Sequence, residues 1–175
     1  MMIVLYIIGG LFALIIFLAL IAPKSFAVSR SITVNSPLEE TFQFVKSIKN
    51  QDLWSPWKKK DPTMTQSFEG IDGEVGCIAR WQGNKDVGEG EQELLKIVEN
   101  EQVISKLRFF KPWKSEADAY LYTEAISDTE TKVTWGFSGK NKVPFNIFML
   151  FMNMDKAVGK DFEEGLSDLK AYLEQ

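Results

Sequence analysis

The chain has 175 residues, 45% of them hydrophobic, and a formal net charge of −4. It contains no histidine, which excludes imidazole acid–base catalysis, His-ligated zinc and a Ser-His-Asp triad together. A single cysteine, Cys77, excludes an internal disulfide, and an acidic balance without a long basic run leaves no electrostatic footprint for nucleic acid.

In chain order, the first feature is an uncharged apolar run from Met2 to Ala22. At about 1.5 Å per residue it spans the roughly 30 Å hydrocarbon core of a bilayer. No basic residue precedes it, it exceeds the length of a signal-peptide core, and Ser25-Phe26-Ala27 only imitates a cleavage site, so a retained anchor is favoured over a cleaved leader. Gly9 and Gly10 make no GxxxG motif. Residues 1–23 are therefore expected to be a single-pass membrane anchor and residues 24–175 one domain. Lys24 and Arg30 follow the span, which favours the cytoplasmic side for that domain.

Beyond Pro23, residues 26–34 alternate as a half-buried strand, with Arg30 falling on the apolar parity. Ser36-Pro37-Leu38-Glu39 predicts a capping box opening a short helix, continued by Phe42, Val45 and Ile48. Residues 50–62, with Trp54-Ser55-Pro56-Trp57 and Lys58-Lys59-Lys60-Asp61-Pro62, predict a shaped loop or broken helical turn. Short extended runs then alternate with turns: 64–68, 77–82, 87–99, 102–110, 116–126 and 131–138, which together predict an antiparallel meander. From Phe145 to the C-terminus one long helix is predicted. Its stripe is Phe148, Phe151, Met154, Val158, Phe162, Leu166, Leu169 and Leu173. Gly165 lies inside it, where close approach of a strand or short helix is the physical reason for a residue that costs about 1 kcal/mol.

This order of elements resembles the helix-grip arrangement, an α+β fold in which a curved sheet of about six or seven strands wraps a C-terminal helix. Particular stretches resemble the polyketide cyclase/dehydrase-like branch of the START-like (SRPBCC) superfamily. They are Pro23-Lys24-Ser25 leading to Arg30-Ser31-Ile32, the Trp54-to-Pro62 loop, Trp81-Gln82-Gly83-Asn84 before Val87-Gly88-Glu89-Gly90, Val133-Thr134-Trp135, and Asp161-Phe162-Glu163-Glu164-Gly165-Leu166 with Leu169-Lys170. The resemblance covers residues 24–174 and implies a cavity between sheet and helix.

By strand parity, Trp81, Leu107, Phe109, Tyr120, Tyr122 and Trp135 are expected to line that cavity, facing Phe148, Phe151 and Met152 from the helix. Such residues suit an apolar ligand, a hydrophobic small molecule or lipid. The same residues also suit a solid core. Glu124 and Asp118 share the parity of the tyrosines and are the weak candidates for a buried general base in an alternative, cyclase- or dehydrase-like enzyme. Cys77 has no base to activate it. No phosphate loop, dinucleotide fingerprint or metal-ligand cluster is present, so neither cofactor nor metal is expected. Residues 145–154 are apolar nearly all round, which predicts a second role: a lid, a membrane-dipping patch, or a contact to a second copy or a protein partner. Lys58-Lys59-Lys60 is a further candidate for anionic headgroups.

Overall fold

The computed structural model describes residues 2–175. Helix α1, Met2–Ile21, is apolar on every side and exposed along its length except in its last turn. By length and composition it is able to cross a membrane, a test that a signal sequence also passes. Seven strands follow, interrupted after the first by three short helices. They are β1 (Ser25–Val34), α2 (Leu38–Lys46), α3 (Gln51–Trp54), α4 (Pro56–Lys60), β2 (Thr65–Glu69), β3 (Ile78–Gln82), β4 (Glu89–Val98), β5 (Gln102–Lys111), β6 (Ser115–Ala125) and β7 (Thr131–Lys140). A 3-10 helix, Phe145–Leu150, leads into α5, Met154–Leu173.

All seven strands form one antiparallel sheet in the order β1-β7-β6-β5-β4-β3-β2. The α+β arrangement is the one expected, with α5 held against β1 and β7. The predicted strands fall within two residues of the observed ones, because each turn carries its own chemistry. Asn100, at φ 63°, closes the β4–β5 hairpin.

The core lies between the concave face and the helices. Trp135 of β7 stacks on Phe162 of α5 at 4.4 Å and meets Trp54 of α3 edge-on at 4.7 Å. Val34, Phe42, Trp54, Val133 and Leu169 are fully buried around them. The glycines of α5 record how tightly the sheet grips it. A Cβ at Gly165 would lie 2.7 Å from the Trp135 ring and 3.0 Å from Pro56, and one at Gly159 would strike the Arg30 guanidinium. Close approach by both a strand and a short helix thus explains Gly165.

Arg30 breaks the alternation of β1 because it faces α5. Its Nε donates to Glu163 at 2.6 Å, and its Nη atoms donate to both Asp155 oxygens at 2.8 and 3.1 Å. The hydrogen bonds from Arg30 hold the Asp155 carboxyl below the ordinary carboxylate range. A depressed folded-state pKa stabilises the fold above the unfolded value, near 3.9 for Asp, and that contribution is lost as pH falls through the folded value. Arg30→Met is therefore expected to raise the Asp155 titration midpoint and remove this acid-side contribution. NMR of the carboxyl carbon reads both effects.

Three local expectations are corrected. The terminal helix does not begin at Phe145: the 3-10 segment ends at Leu150, and the side chain of Asn153 accepts the Lys156 N–H at 3.0 Å as the N-cap of α5. Ser36 does not cap α2 through its side chain. Instead its carbonyl accepts the Thr131 hydroxyl at 2.8 Å. The lysine run is spent within the protein. Lys59 pairs with Asp168, while Lys60 sits 2.6 Å from Asp161 and 4.6 Å above the Trp57 ring. These contacts clamp α4 to α5. Of the two forms expected for residues 50–62, the structure shows the broken helical turn, as α3 and α4 interrupted at Ser55.

The ladder defines two ends of the sheet. At one end lie the start of β1, the end of β7 and the β5–β6 tip, since Ser25 pairs with Lys140, Asp118 with Ser138 and Phe109 with Ser115. This is the end that adjoins α1. Asn146, fully buried, donates to the Ala19 and Ala22 carbonyls at 2.8 and 3.1 Å, supplying acceptors at the end of α1 that have no helical donor. Asn141 adds hydrogen bonds to Lys24 and Pro23.

Candidate functional site

The concave face is built row by row from the register. Trp81, Gly90 and Phe109 form one row, and Ala79, Gln92, Leu107 and Ala117 the next. Leu94, Ser105, Ala119 and Phe137 follow, then Val103, Leu121 and Trp135. Burial changes along these rows. Val103, Ser105, Leu121 and Trp135 are buried, whereas Leu107, Phe109 and Trp81 are only half-buried although they face inward. The concave face is thus filled at its far end by α2, α3 and α5, and opens toward the end that adjoins α1.

Glycine and alanine shape this open region. Gly90 has no side chain because the Trp81 ring lies over it, 2.6 Å from where a Cβ would be. Trp81 then meets Phe109 edge-on at 5.8 Å. Ala117 and Ala119 leave the middle of β6 low beneath them. Gln92 donates to the Ser105 hydroxyl at 3.2 Å, placing a polar pair on an otherwise apolar surface. Neither residue was singled out from the sequence. Their only signal is that Gln92 lies between Gly90 and Leu94, and Ser105 between Val103 and Leu107, at strand spacing.

Trp81, Leu107, Phe109 and Trp135 therefore lie on one concave surface, Trp135 inside the packed core and the other three at its open part. Tyr120 and Tyr122 do not join them. They stack on each other at 4.8 Å on the convex face, and Tyr120 lies over Gly136, its ring 2.6 Å from where a Cβ would be. An aromatic covering a cross-strand glycine is a stable arrangement that binary alternation does not distinguish from core packing. The strand turns its alanines inward instead. Asp118 and Glu124 share the convex face, where Asp118 pairs with Lys106 at 2.9 Å and Glu124 with Lys132 at 3.5 Å. Both carboxyls are exposed, so neither is the desolvated acid that the enzyme alternative requires.

Phe148, Phe151 and Met152 are also relocated. They project from the 3-10 segment and the link to α5, and Phe148 and Phe151 are 64% and 84% exposed. Phe151 and Met152 line an open cleft of about 440 Å³ that also involves Pro23, Phe26 and Asn141, beside the end of α1. Phe26 connects that cleft to the interior, since it packs on Phe137 at 5.0 Å and its ring occupies the space above Gly139.

Other chemistry is structural. Cys77 is buried, and loss of solvent raises its thiol pKa. Asp61 accepts from the Thr63 hydroxyl at 2.7 Å and the Asn84 N–H at 2.6 Å. These bonds lower its pKa and tie α4 to the β3–β4 loop. Among the described residues no group of His, Cys, Asp or Glu side chains is arranged to hold a metal.

The fold is shared with many solved structures. The Aha1 dimer from Colwellia psychrerythraea matches with a TM-score of 0.59 at 16% identity, over 85% of this chain and 96% of that one. Ara h 8.0201 matches at 0.56 and 13% identity, over 85% of this chain and 97% of that one. DynU16, from the dynemicin biosynthetic locus, matches at 0.54 and 17% identity, over 85% of this chain and 47% of that one. No protein-family model matches the chain, and no curated protein matches it. At these identities the likeness establishes architecture alone. The chain has the helix-grip fold, preceded by an apolar N-terminal helix.

Proposed function

We propose that this protein binds a hydrophobic small molecule or lipid on the open part of its concave face, as a domain of residues 24–175 held at the membrane by residues 1–23. The observation that carries this reading is the half-burial of Trp81, Leu107 and Phe109, which face the helix side of the sheet yet remain in contact with solvent. A solid core would have covered them. Apolar area removed from water there contributes roughly 25 cal/mol per Å², so about 200 Å² of ligand contact is worth roughly 5 kcal/mol before the costs of association. Gln92 and Ser105 offer a hydrogen-bonding pair to a polar group on the ligand. The likeness of residues 24–174 to the polyketide cyclase/dehydrase-like branch supports a small-molecule role. Lys24 and Arg30 after the span support the cytoplasmic side.

The test is native mass spectrometry of the full chain released from nanodiscs, comparing wild type with Leu107→Trp and Tyr122→Ala. An indole at position 107 covers part of the open concave face, whereas Tyr122 stands on the opposite face. Wild type and Tyr122→Ala are expected to carry an apolar adduct, and Leu107→Trp about tenfold less of it, a loss of about 1.4 kcal/mol in binding. Near-UV circular dichroism verifies that each variant is folded. Equal adduct on all three, or none on any, overturns the reading.

A further inference from the structure

The surface surrounding the end of α1 differs from the rest of the molecule in both charge and polarity. The buried Asn146 side chain holds the 3-10 segment against the Ala19 and Ala22 carbonyls, so Phe145 and Phe148, 68% and 64% exposed, stand beside the last turn of α1. An α-helix of 20 residues spans about 30 Å, so a membrane-crossing α1 is used over its whole length and its last turn lies at the bilayer surface. The β5–β6 tip emerges from the same end of the sheet and carries Trp113, 70% exposed.

Basic residues share that end. Lys24, Lys114 and Lys142 are exposed and take no acidic partner within 4.0 Å among the described residues, whereas nearby Lys111 pairs with Glu89 at 2.6 Å. Acids collect at the opposite end, in the three far turns: Asp72 and Glu74 after β2, Glu99 and Glu101 between β4 and β5, Asp128 and Glu130 between β6 and β7. A chain of net charge −4 thus keeps unpaired lysines and exposed aromatics together around α1, where Glu89, Glu116 and Asp155 are matched by Lys111, Lys106 and Arg30, and Asp86 of the β3–β4 turn is an exposed acid. Aromatic rings within a basic rim match the headgroup boundary of an anionic membrane, where rings sit among the headgroups and ammonium groups meet phosphates.

We propose that this end of the domain docks on an anionic lipid bilayer, with Phe145, Phe148 and Trp113 in the headgroup–acyl boundary and Lys24, Lys114 and Lys142 on the phosphates. Docking turns the open part of the concave face, and the cleft at Phe26, toward the lipid. The inference rests on the reading of α1 as an anchor and adds a defined orientation to it.

The test places a nitroxide at Phe148→Cys, Trp113→Cys, Tyr122→Cys or Phe12→Cys in the full chain. Cys77 is buried and poorly reactive, so each introduced thiol is labelled selectively. The chain is reconstituted in phosphatidylcholine nanodiscs with or without phosphatidylglycerol, and accessibility to oxygen and to a nickel chelate is measured by electron paramagnetic resonance. With phosphatidylglycerol, positions 148 and 113 are expected to be oxygen-accessible and nickel-protected, as at position 12, while 122 stays aqueous. A Lys114→Glu/Lys142→Glu background is expected to return position 113 to water. If 148 and 113 are as aqueous as 122 while 12 is protected, the docking proposal fails and the anchor stands. If 12 is aqueous as well, both fail.

Discussion

Trp135→Ala is expected to lower the unfolding free energy by about 3–5 kcal/mol, the range for a large aromatic removed from a packed core. The site argues for the upper part of that range. Trp135 is 7% exposed, stacked on Phe162 and edge-on to Trp54, so two aromatic rings, one from α5 and one from α3, lose their common partner at once. Gly165, which has no side chain because this ring approaches it, leaves the resulting void without a neighbour able to fill it. Denaturant unfolding of the full chain in detergent micelles reads the change as a lowered midpoint. A loss below about 1 kcal/mol would mean that the ring is not the keystone of the grip.

Gly165→Leu carries the second large effect, and its sign opposes helix propensity. In an exposed helix, replacing glycine by a good helix former stabilises by about 1 kcal/mol. Here the first carbon of any side chain meets Trp135 at 2.7 Å, Pro56 at 3.0 Å and the Trp54 carbonyl at 3.4 Å. Two of these neighbours are a ring wedged in the core and a backbone atom, so neither yields without moving α3 or β7. We expect a net destabilisation of about 1–3 kcal/mol, as for overpacked cores. Gly165→Ala is expected to destabilise less but in the same direction. Thermal unfolding of the two variants beside wild type measures both the sign and the order. Stabilisation by Gly165→Ala would contradict the close approach.

The sheet and the terminal helix were legible because their signals are local. Alternation, turn residues and the three- and four-residue stripe from Met154 to Leu173 each describe one element without reference to the others. Failures occurred where a second element decides. The face of β6 is set by what lies across it: Gly136 gives Tyr120 a seat on the convex side, and Ala117, Ala119 and Leu121 turn inward with Trp135. Large aromatics outweigh alanines in any hydrophobic count, so parity assigned from Tyr120 and Tyr122 inverted the strand and carried Asp118 and Glu124 with it.

The start of α5 shows the same limit. Phe148 and Phe151 continue the helical spacing, but Asn153 caps the helix after them and Asn146 binds the end of α1. An asparagine followed two residues later by Asp155 was a readable N-cap signal. The partner of Asn146, by contrast, lies over a hundred residues earlier in the chain and left no local trace. Arg30 is similar, since its place on the apolar parity of β1 is explained only by Asp155 and Glu163 on the helix that crosses above it.

Where an apolar ligand sits is tested most directly by photolabelling the full chain in nanodiscs with a diazirine-bearing fatty acid and mapping the adducts by peptide mass spectrometry. Adducts on the β3 peptide with Trp81 and the β5 peptide with Leu107 and Phe109, reduced by Leu107→Trp, are the expected result. Labelling confined to α1 and residues 145–152, with the concave strands unmarked, would contradict it and leave the domain a membrane-docked body without an internal site.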